Sequence, residues 1–250
     1  MRQRIQFDVD GTTLRGDFYR PGGPGPHPAV VVVGPMTSVK EQVAGVYAVA
    51  LAVRGIAALA IDHRHYGESG GEPRQYEVPD HKIADIGGAI DWLADSPEVE
   101  ANRLGLVGVC LGSSYAAVAR RLWESTGETM LVPAAAEGHG APMHLPDIVD
   151  YYGTPRAGVA NYRNEFAVMS REPWLSFDAR AVASRVPVPT LFVHAEGALA
   201  PAWAQRFHDA MLVERRFEWL SPSSQVDFYD RPDRVDTAAD LVCDHLLAHL

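Results

Sequence analysis

The residues best placed to do covalent chemistry lie near the middle of the chain, in the pentapeptide Gly108-Val109-Cys110-Leu111-Gly112. A β-prone apolar run precedes the cysteine, and an Ala-rich helical run follows it without a linker. A nucleophile on so sharp a turn needs small residues two positions before and after it, which the two glycines provide. The start of a helix offers free N–H groups and a positive dipole, which favour a thiolate and an adjacent oxyanion. We therefore predict Cys110 as a nucleophile rather than a core cysteine.

The elements that must position this cysteine alternate between strand and helix. Continuous apolar runs at residues 29–33, 56–61 and 190–193 are typical of parallel strands buried on both faces. Helical stretches such as 39–54 and 202–211 separate them. We expect an α/β fold with a doubly wound, mostly parallel sheet. A length of 250 residues suits one domain over 1–250.

Other segments complete this architecture. Residues 5–9 and 12–19 predict an opening β-hairpin, and residues 130–136 and 216–220 predict further strands. Residues 80–95 predict a helix with an apolar face and a solvated face. The apolar face carries Ile83, Ile86, Ile90 and Leu93, and the solvated face carries Asp85, Asp91 and Asp95. Residues 137–187 break the strand rhythm, are rich in aromatics, and predict a small helical cap insertion. The chain ends in an amphipathic helix over 234–250.

Composition excludes several function classes. The formal net charge is -10, which argues against nucleic acid or an anionic membrane as a partner. No apolar run is long enough for a membrane span. The two cysteines, Cys110 and Cys243, suit a reducing cytoplasm better than a disulfide framework. No nucleotide or metal motif is present, so we expect no cofactor and no metal, a small-molecule substrate, and a monomer or homodimer.

At this point the chain resembles the α/β-hydrolase superfamily, and within it the dienelactone-hydrolase-like proteins that use a cysteine nucleophile. The resemblance covers nearly the whole length and includes the elbow and the segments 38–42, 62–76 and 226–230. It implies a nucleophile, an acid and a histidine in that order along the chain. It also implies that Met36, in the loop after the third strand, supplies the second oxyanion N–H beside that of Leu111.

The loop that carries Met36 has Gly34-Pro35 in place of the His-Gly of the family, and the positions of the base and the acid depart from the pattern as well. The place of the catalytic histidine, directly before Val226, holds Gln225, whose amide does not titrate near neutral pH. The acid position holds Ala198, although Glu196 offers a carboxylate two residues earlier. Gln225 can therefore neither take a proton from Cys110 nor activate water.

Three functions fit this combination. We favour a non-hydrolytic reaction on a small or medium ester, lactone or polyketide-like intermediate: elimination of a carboxylate (acyl) group, cyclisation or isomerisation, with Gln225 holding a carbonyl or leaving group. The second is a cysteine-dependent ester, thioester or lactone hydrolase with a substitute base, of which His65 is the first candidate and His139 and His144 are others. The third is a non-catalytic binding protein.

The predicted cap supplies candidate substrate contacts. About half of its aromatic residues should form its own core, and the others should line an apolar pocket. The residues that we predict to bind substrate are His144, Tyr151, Tyr162, Phe166 and Trp174.

Overall fold

The structure is a computed structural model that describes residues 1–109, 131–137, 141–170, 173 and 177–250. Four of the predicted site residues, Cys110, Leu111, His139 and Trp174, lie outside these ranges. The chain divides into two compact units, Met1–Ser176 and Phe177–Leu250. The single domain with a cap over 137–187 stays a prediction.

The first unit contains a five-stranded mixed sheet with the strand order β1-β2-β4-β3-β5. Its strands are β1 (Arg2–Val9), β2 (Thr12–Tyr19), β3 (His27–Val33), β4 (Ala57–Asp62) and β5 (Val99–Gly108). The predicted opening hairpin is β1 and β2, and β2 also pairs antiparallel with β4. Strand β3 lies between β4 and β5 and is parallel to both. The α/β prediction is confirmed, with antiparallel pairs at one edge of this sheet.

The helices of this unit are α1 (Val43–Ala52), α2 (Pro79–Ala94) and α3 (Pro146–Gly153). Helix α1 is shorter than the predicted 39–54, because residues 39–42 form a separate turn closed by the Gln42 N–H donating to Val39 O. The strand predicted at 130–136 is reduced to β6 (Leu131–Val132), which pairs antiparallel with β7 (Phe166–Ala167). Beyond it, the N–H groups of Ala134 and Ala135 donate to Asn164 instead of to a strand. Short 3-10 turns occupy Pro155–Ala157 and Val168–Ser170.

Strands β3 and β4 carry the apolar core of the first unit. All six residues of β4 are buried, as are the five central residues of β3. One core cluster joins these strands to β2 and α2; it includes Phe18, Val31, Leu59, Ala89 and Leu93. A sheet whose central strands are this apolar holds the loops at their carboxyl ends on a rigid base, which is where ligands bind in open α/β sheets.

The buried face of α2 differs from the prediction. Ile83 is 59% exposed, whereas Asp85, Ala89 and Leu93 are buried at the helical spacing of four residues. The assignment of Asp85 to a solvated face was therefore wrong. The physical reason is a charged partner: Asp85 binds Arg64, so the carboxylate is buried as half of an ion pair.

The second unit contains a parallel pair of strands, β8 (Thr190–His194) and β9 (Arg215–Trp219). Its helices are α4 (Pro201–Ala210), α5 (Asp227–Asp230) and α6 (Pro232–His249), and a 3-10 helix spans Ala179–Arg185. The closing helix begins at Pro232, two residues before the predicted start, because proline is well tolerated in the first turn. Among the helices in the described ranges, none is long and apolar enough to cross a membrane.

Candidate active site

The loop after β3, residues 34–38, carries Met36, the predicted oxyanion donor, and is called the oxyanion loop below. A Cβ on Gly34 would lie 2.3 Å from Ser38 Oγ, so the loop closes only around glycine. Ser38 completes the turn by donating its hydroxyl to Pro35 O at 2.7 Å. The Met36 side chain is buried, and within the described part of the chain no acceptor engages its N–H group. The predicted donor is thus available, while its predicted partner Leu111 lies outside the described residues.

A buried carboxylate supports this loop from beneath. Thr37 has a positive φ of 60°, and its N–H donates to Glu77 Oε2 at 3.3 Å. Glu77 is fully buried, and its Oε1 lies 2.6 Å from Lys82 Nζ on α2. Burial and the nearby Glu77 carboxylate raise the pKa of Tyr66 well above its ordinary value, so its hydroxyl stays protonated. The segment before α2 therefore holds the oxyanion loop through a charged group.

A second charged cluster joins the loop to the end of β4. Lys40 Nζ lies 2.7 Å from Asp62 Oδ2 and 2.8 Å from carboxylate oxygens of Glu41 and Glu68. Burial would lower the pKa of Lys40, but the charge and hydrogen bonds of Asp62 and its neighbours raise it above the ordinary value. The three acidic side chains could hold a metal ion by spacing. The Lys40 ammonium already lies among them and neutralises part of their negative charge.

The Gly-rich loop after β4 needs glycine where it folds back over Asp62. Gly67 has φ +52°, and a Cβ there would lie 2.3 Å from the Asp62 carboxylate. This close approach lets the Glu68 N–H donate to Asp62 at 2.9 Å. Gly67 therefore acts as a turn former in this loop.

Arg64 and Asp85 join the same loop to helix α2. Asp85 accepts hydrogen bonds from the Arg64 N–H at 2.8 Å and from Arg64 Nε at 2.6 Å, and His63 Nδ1 lies 3.4 Å away. Burial alone would raise the pKa of the Asp85 carboxyl, but the nearby His63 imidazole and the hydrogen bonds from Arg64 hold it below the ordinary value. The ion pair fixes both ends of the loop that carries His65.

His65, the first candidate for a substitute base, is buried against another histidine. Its Nε2 lies 2.9 Å from His81 Nδ1, and the two rings stack with centroids 5.1 Å apart. Burial, reinforced by the charge of His81, lowers the pKa of His65 to about 4. Burial also lowers the pKa of His81. A neutral ring with so low a pKa is a weak base at neutral pH, because general bases work best with a pKa near the operating pH.

Part of the predicted cap is hydrogen-bonded to the oxyanion loop and its supports. Gln42 Nε2 donates to Ala157 O at 3.1 Å, and Asn161 Nδ2 donates to Asp62 at 3.1 Å. Ser170 Oγ accepts the Glu77 N–H at 2.7 Å. Residues 155–170 are therefore a wall beside this loop.

The predicted substrate-binding residues occupy different environments. Tyr162 is half-buried beside Thr37 of the oxyanion loop, and burial raises its pKa. Tyr151 is buried, with its ring edge against Tyr152 at 4.8 Å, and Phe166 is fully buried in β7. His144 is exposed on the segment before α3. Of this set the structure brings Tyr162 to the oxyanion loop, and the binding role of each residue stays a prediction.

The candidates in the second unit lie in the loops after β8 and β9. Gln225 Oε1 accepts the Leu199 N–H at 3.0 Å, and Gln225 Nε2 donates to the Tyr229 hydroxyl at 3.1 Å. The amide oxygen thus joins the two loops, which also meet in a β-bridge between Gly197 and Ser224, while the amide nitrogen binds the following helix α5. Glu196 is exposed beside this bridge. The predicted catalytic position of Gln225 stays a prediction, and the contacts that its side chain makes are structural ones.

Sequence reasoning missed the charged groups that support the loops, above all Glu77, Lys82 and Asp85. Two signals were present in the sequence. Glu77 lies between Tyr76 and Val78, two residues before the proline that starts α2. Asp85 lies one helical turn before Ala89, on the buried face of that helix. An acidic residue on an apolar stripe indicates a buried ion pair when a cation lies within reach.

Comparison with known proteins defines the class. The crystal structure of a hypothetical protein, PA2218 of Pseudomonas aeruginosa, matches all of this chain and 94% of its own with a TM-score of 0.86 and 25% identity. The structure of an α/β hydrolase, GrgF of Penicillium, matches all of this chain and 99% of its own with a TM-score of 0.82 and 21% identity. The protein is an α/β-hydrolase-fold enzyme.

The sequence comparisons give the family. Residues 10–173 match the family described as X-Pro dipeptidyl-peptidase (S15 family), and the chain belongs to it. The uncharacterised protein PA2218 is 29% identical over 94% of this chain and 78% of its own length. A polyketide transferase, claH of Penicillium crustosum, is 32% identical over 46% of this chain and 38% of its own. A thiohydrolase, aneE of Aspergillus aculeatus, is 37% identical over 43% of this chain and 33% of its own.

Proposed function

We propose that this enzyme transfers acyl groups without adding water. Cys110 takes the acyl group of an ester or thioester on a carbon-rich, polyketide-like chain. It then passes that group to a hydroxyl of a bound acceptor. When the hydroxyl belongs to the same chain, the product is a lactone, and the reaction is a cyclisation.

Each step balances without a titrating histidine. The Cys110 sulfur attacks the carbonyl carbon, and the Met36 and Leu111 N–H groups hold the oxyanion. The bond to the leaving oxygen or sulfur breaks, that group takes the proton of the Cys110 thiol and departs as an alcohol or thiol, and a thioester is left on Cys110. The acceptor hydroxyl then attacks the thioester carbonyl. The C–S bond breaks, and the hydroxyl proton passes to the departing sulfur of Cys110. No water is consumed, and the thiol is restored.

The observation that carries the proposal is the position of Gln225. In a hydrolytic triad this place holds the base that activates water for deacylation. Here the amide oxygen and nitrogen are both engaged, with the Leu199 N–H and the Tyr229 hydroxyl. A group that does not titrate and is already hydrogen-bonded cannot activate water, so an acyl-cysteine should persist until an acceptor binds.

One aromatic side chain beside the oxyanion loop supports a substrate with an apolar part. Tyr162 contributes an aromatic ring beside Thr37, and residues 155–170 form the adjacent wall. The names of two relatives, a polyketide transferase and a thiohydrolase, support acyl chemistry of this kind, although each alignment spans less than half of this chain.

The test is a single-turnover acylation. The protein is mixed with an activated aryl ester, the released phenol is followed, and intact mass is measured at intervals. We expect one equivalent of phenol and one acyl adduct per chain, lost in Cys110→Ala and kept in Cys243→Ala, the control that removes the other cysteine. Adding a long-chain alcohol should discharge the adduct as a new ester. Continuous phenol release without an acceptor would overturn the proposal and support the second candidate, a thioester or ester hydrolase.

A further inference from the structure

A fully buried carboxylate lies directly beneath the oxyanion loop. The proposed function gives this group no role. It belongs to Glu77, between the Gly-rich loop and helix α2. One carboxylate oxygen accepts the Thr37 N–H, and the other lies 2.6 Å from Lys82 Nζ. Glu77 also donates its own N–H to Ser170 Oγ at 2.7 Å. Three segments that converge on the loop are therefore joined at one residue.

The oxyanion loop needs such a support because its backbone is strained. Thr37 has φ +60°, a left-handed conformation that is costly for a β-branched residue and persists only where the surroundings impose it. The peptide group between Met36 and Thr37 carries the N–H that Glu77 accepts. Fixing that peptide fixes one side of Met36, and with it the direction of the Met36 N–H that is predicted to bind the oxyanion.

We propose that Glu77 is a positioning residue that aims the Met36 N–H at the developing oxyanion, with Lys82 holding the Glu77 carboxylate in place. The inference rests on the proposed function, because it requires that Cys110 is acylated through this oxyanion hole. A buried ion pair adds little net stability compared with apolar side chains of similar volume. Its value here lies in a hydrogen bond of fixed direction, which catalysis by preorganised donors requires.

The experiment separates thiol reactivity from oxyanion stabilisation. Acylation of Cys110 by the aryl ester passes through an oxyanion, whereas alkylation by iodoacetamide forms an S–C bond and expels iodide without one. Both rate constants are measured for the wild type, Glu77→Gln and Glu77→Ala. The matched control is Asp17→Asn, which alters another fully buried carboxylate, paired with Arg2 at 2.6 Å on the opening hairpin.

We expect the maximal acylation rate to fall by about 10- to 100-fold in both Glu77 variants, since a misaimed donor approaches the effect of a lost one. The ester concentration for half-maximal rate and the alkylation rate should stay within about twofold of the wild type. Asp17→Asn should change neither rate. If Glu77→Ala does not fold, Glu77→Gln and Lys82→Met provide the same comparison.

Two results would count against the proposal in different ways. The positioning role alone would be overturned if the Glu77 variants were acylated as fast as the wild type. It would also be overturned if acylation and alkylation were slowed by the same factor. Normal alkylation of Cys110 with no acylation of any protein, the wild type included, would overturn the proposed function and this inference with it.

Discussion

The paired histidines His65 and His81 predict a steep loss of stability in mild acid. The folded state lowers the pKa of His65 from 6.5 to about 4, because the ring is 4% exposed and faces a second imidazole. In the unfolded chain the same ring takes up a proton below pH 6.5. The unfolded state then binds more protons than the folded one, so the free energy of unfolding falls as the pH falls.

The size of this effect follows from the two pKa values. Above about pH 7 His65 does not lower the free energy of unfolding. Protonation of His65 in the unfolded chain should lower that free energy by about 2 kcal/mol at pH 5 and by about 3 kcal/mol near pH 4. The informative variant is His65→Asn, because asparagine tolerates the positive φ of 77° at this position and has no imidazole to protonate. It should be less stable than the wild type at pH 7.5 by about 1 kcal/mol, through the lost hydrogen bond.

The assay is urea denaturation followed by circular dichroism at several pH values between 7.5 and 4.5. Between pH 7.5 and 5 the wild type should lose about 2 kcal/mol more than His65→Asn. His249→Asn, which removes a histidine outside this pair, should keep the pH dependence of the wild type. Parallel curves for the wild type and His65→Asn would refute the reasoning, and so would an NMR titration that places the pKa of His65 near 6.5.

Two further predictions concern the other charged and catalytic positions. Gln225→His places a titrating imidazole where the family has its base, and should raise steady-state release of phenol from an aryl ester by about tenfold or more; an unchanged adduct lifetime would contradict this. Asp85→Asn removes the buried counter-charge of Arg64 and leaves it the exposed carboxylate of Asp10 at 3.2 Å, so it should destabilise the protein by about 3 kcal/mol in urea denaturation. Asp91→Asn, at an exposed position on the same helix, should stay within about 0.5 kcal/mol of the wild type.

The sequence predicted the strands better than the surroundings of the site. The runs at 29–33 and 56–61 appear as the centres of β3 and β4, because a strand buried on both faces has no polar residues to obscure its signal. The same logic failed for α2. Its isoleucines suggested an apolar face that the structure leaves partly exposed at Ile83, while Asp85 is buried. Hydrophobic periodicity cannot detect an ion pair whose cation comes from a distant loop.

The site itself was predictable where a residue type is unusual for its place. Gln225 and Met36 were singled out by comparison with a family pattern. The contacts of Gln225 could not be predicted in this way, because they depend on how two loops meet. His65 illustrates the reverse. The sequence offered it as a base because it stands in a loop at a strand end, but the nearby His81 comes from α2 and changes its proton affinity.

The buried charged groups that support the oxyanion loop favour an enzyme over a binding protein, even with glutamine at the predicted base position. Burying Lys40 with Asp62, and Glu77 with Lys82, carries desolvation costs that apolar side chains would avoid. A protein that used this fold only as a binding surface would gain nothing from that arrangement, because binding does not depend on a strained peptide at Thr37. An acyl-transfer enzyme depends on it at both of its steps, since the oxyanion forms when Cys110 is acylated and forms again when the acceptor attacks. Under the proposed function, a missing base would affect proton removal from the incoming nucleophile, water or acceptor hydroxyl alike, and not oxyanion stabilisation, so the loop and its buried charges would retain their catalytic value.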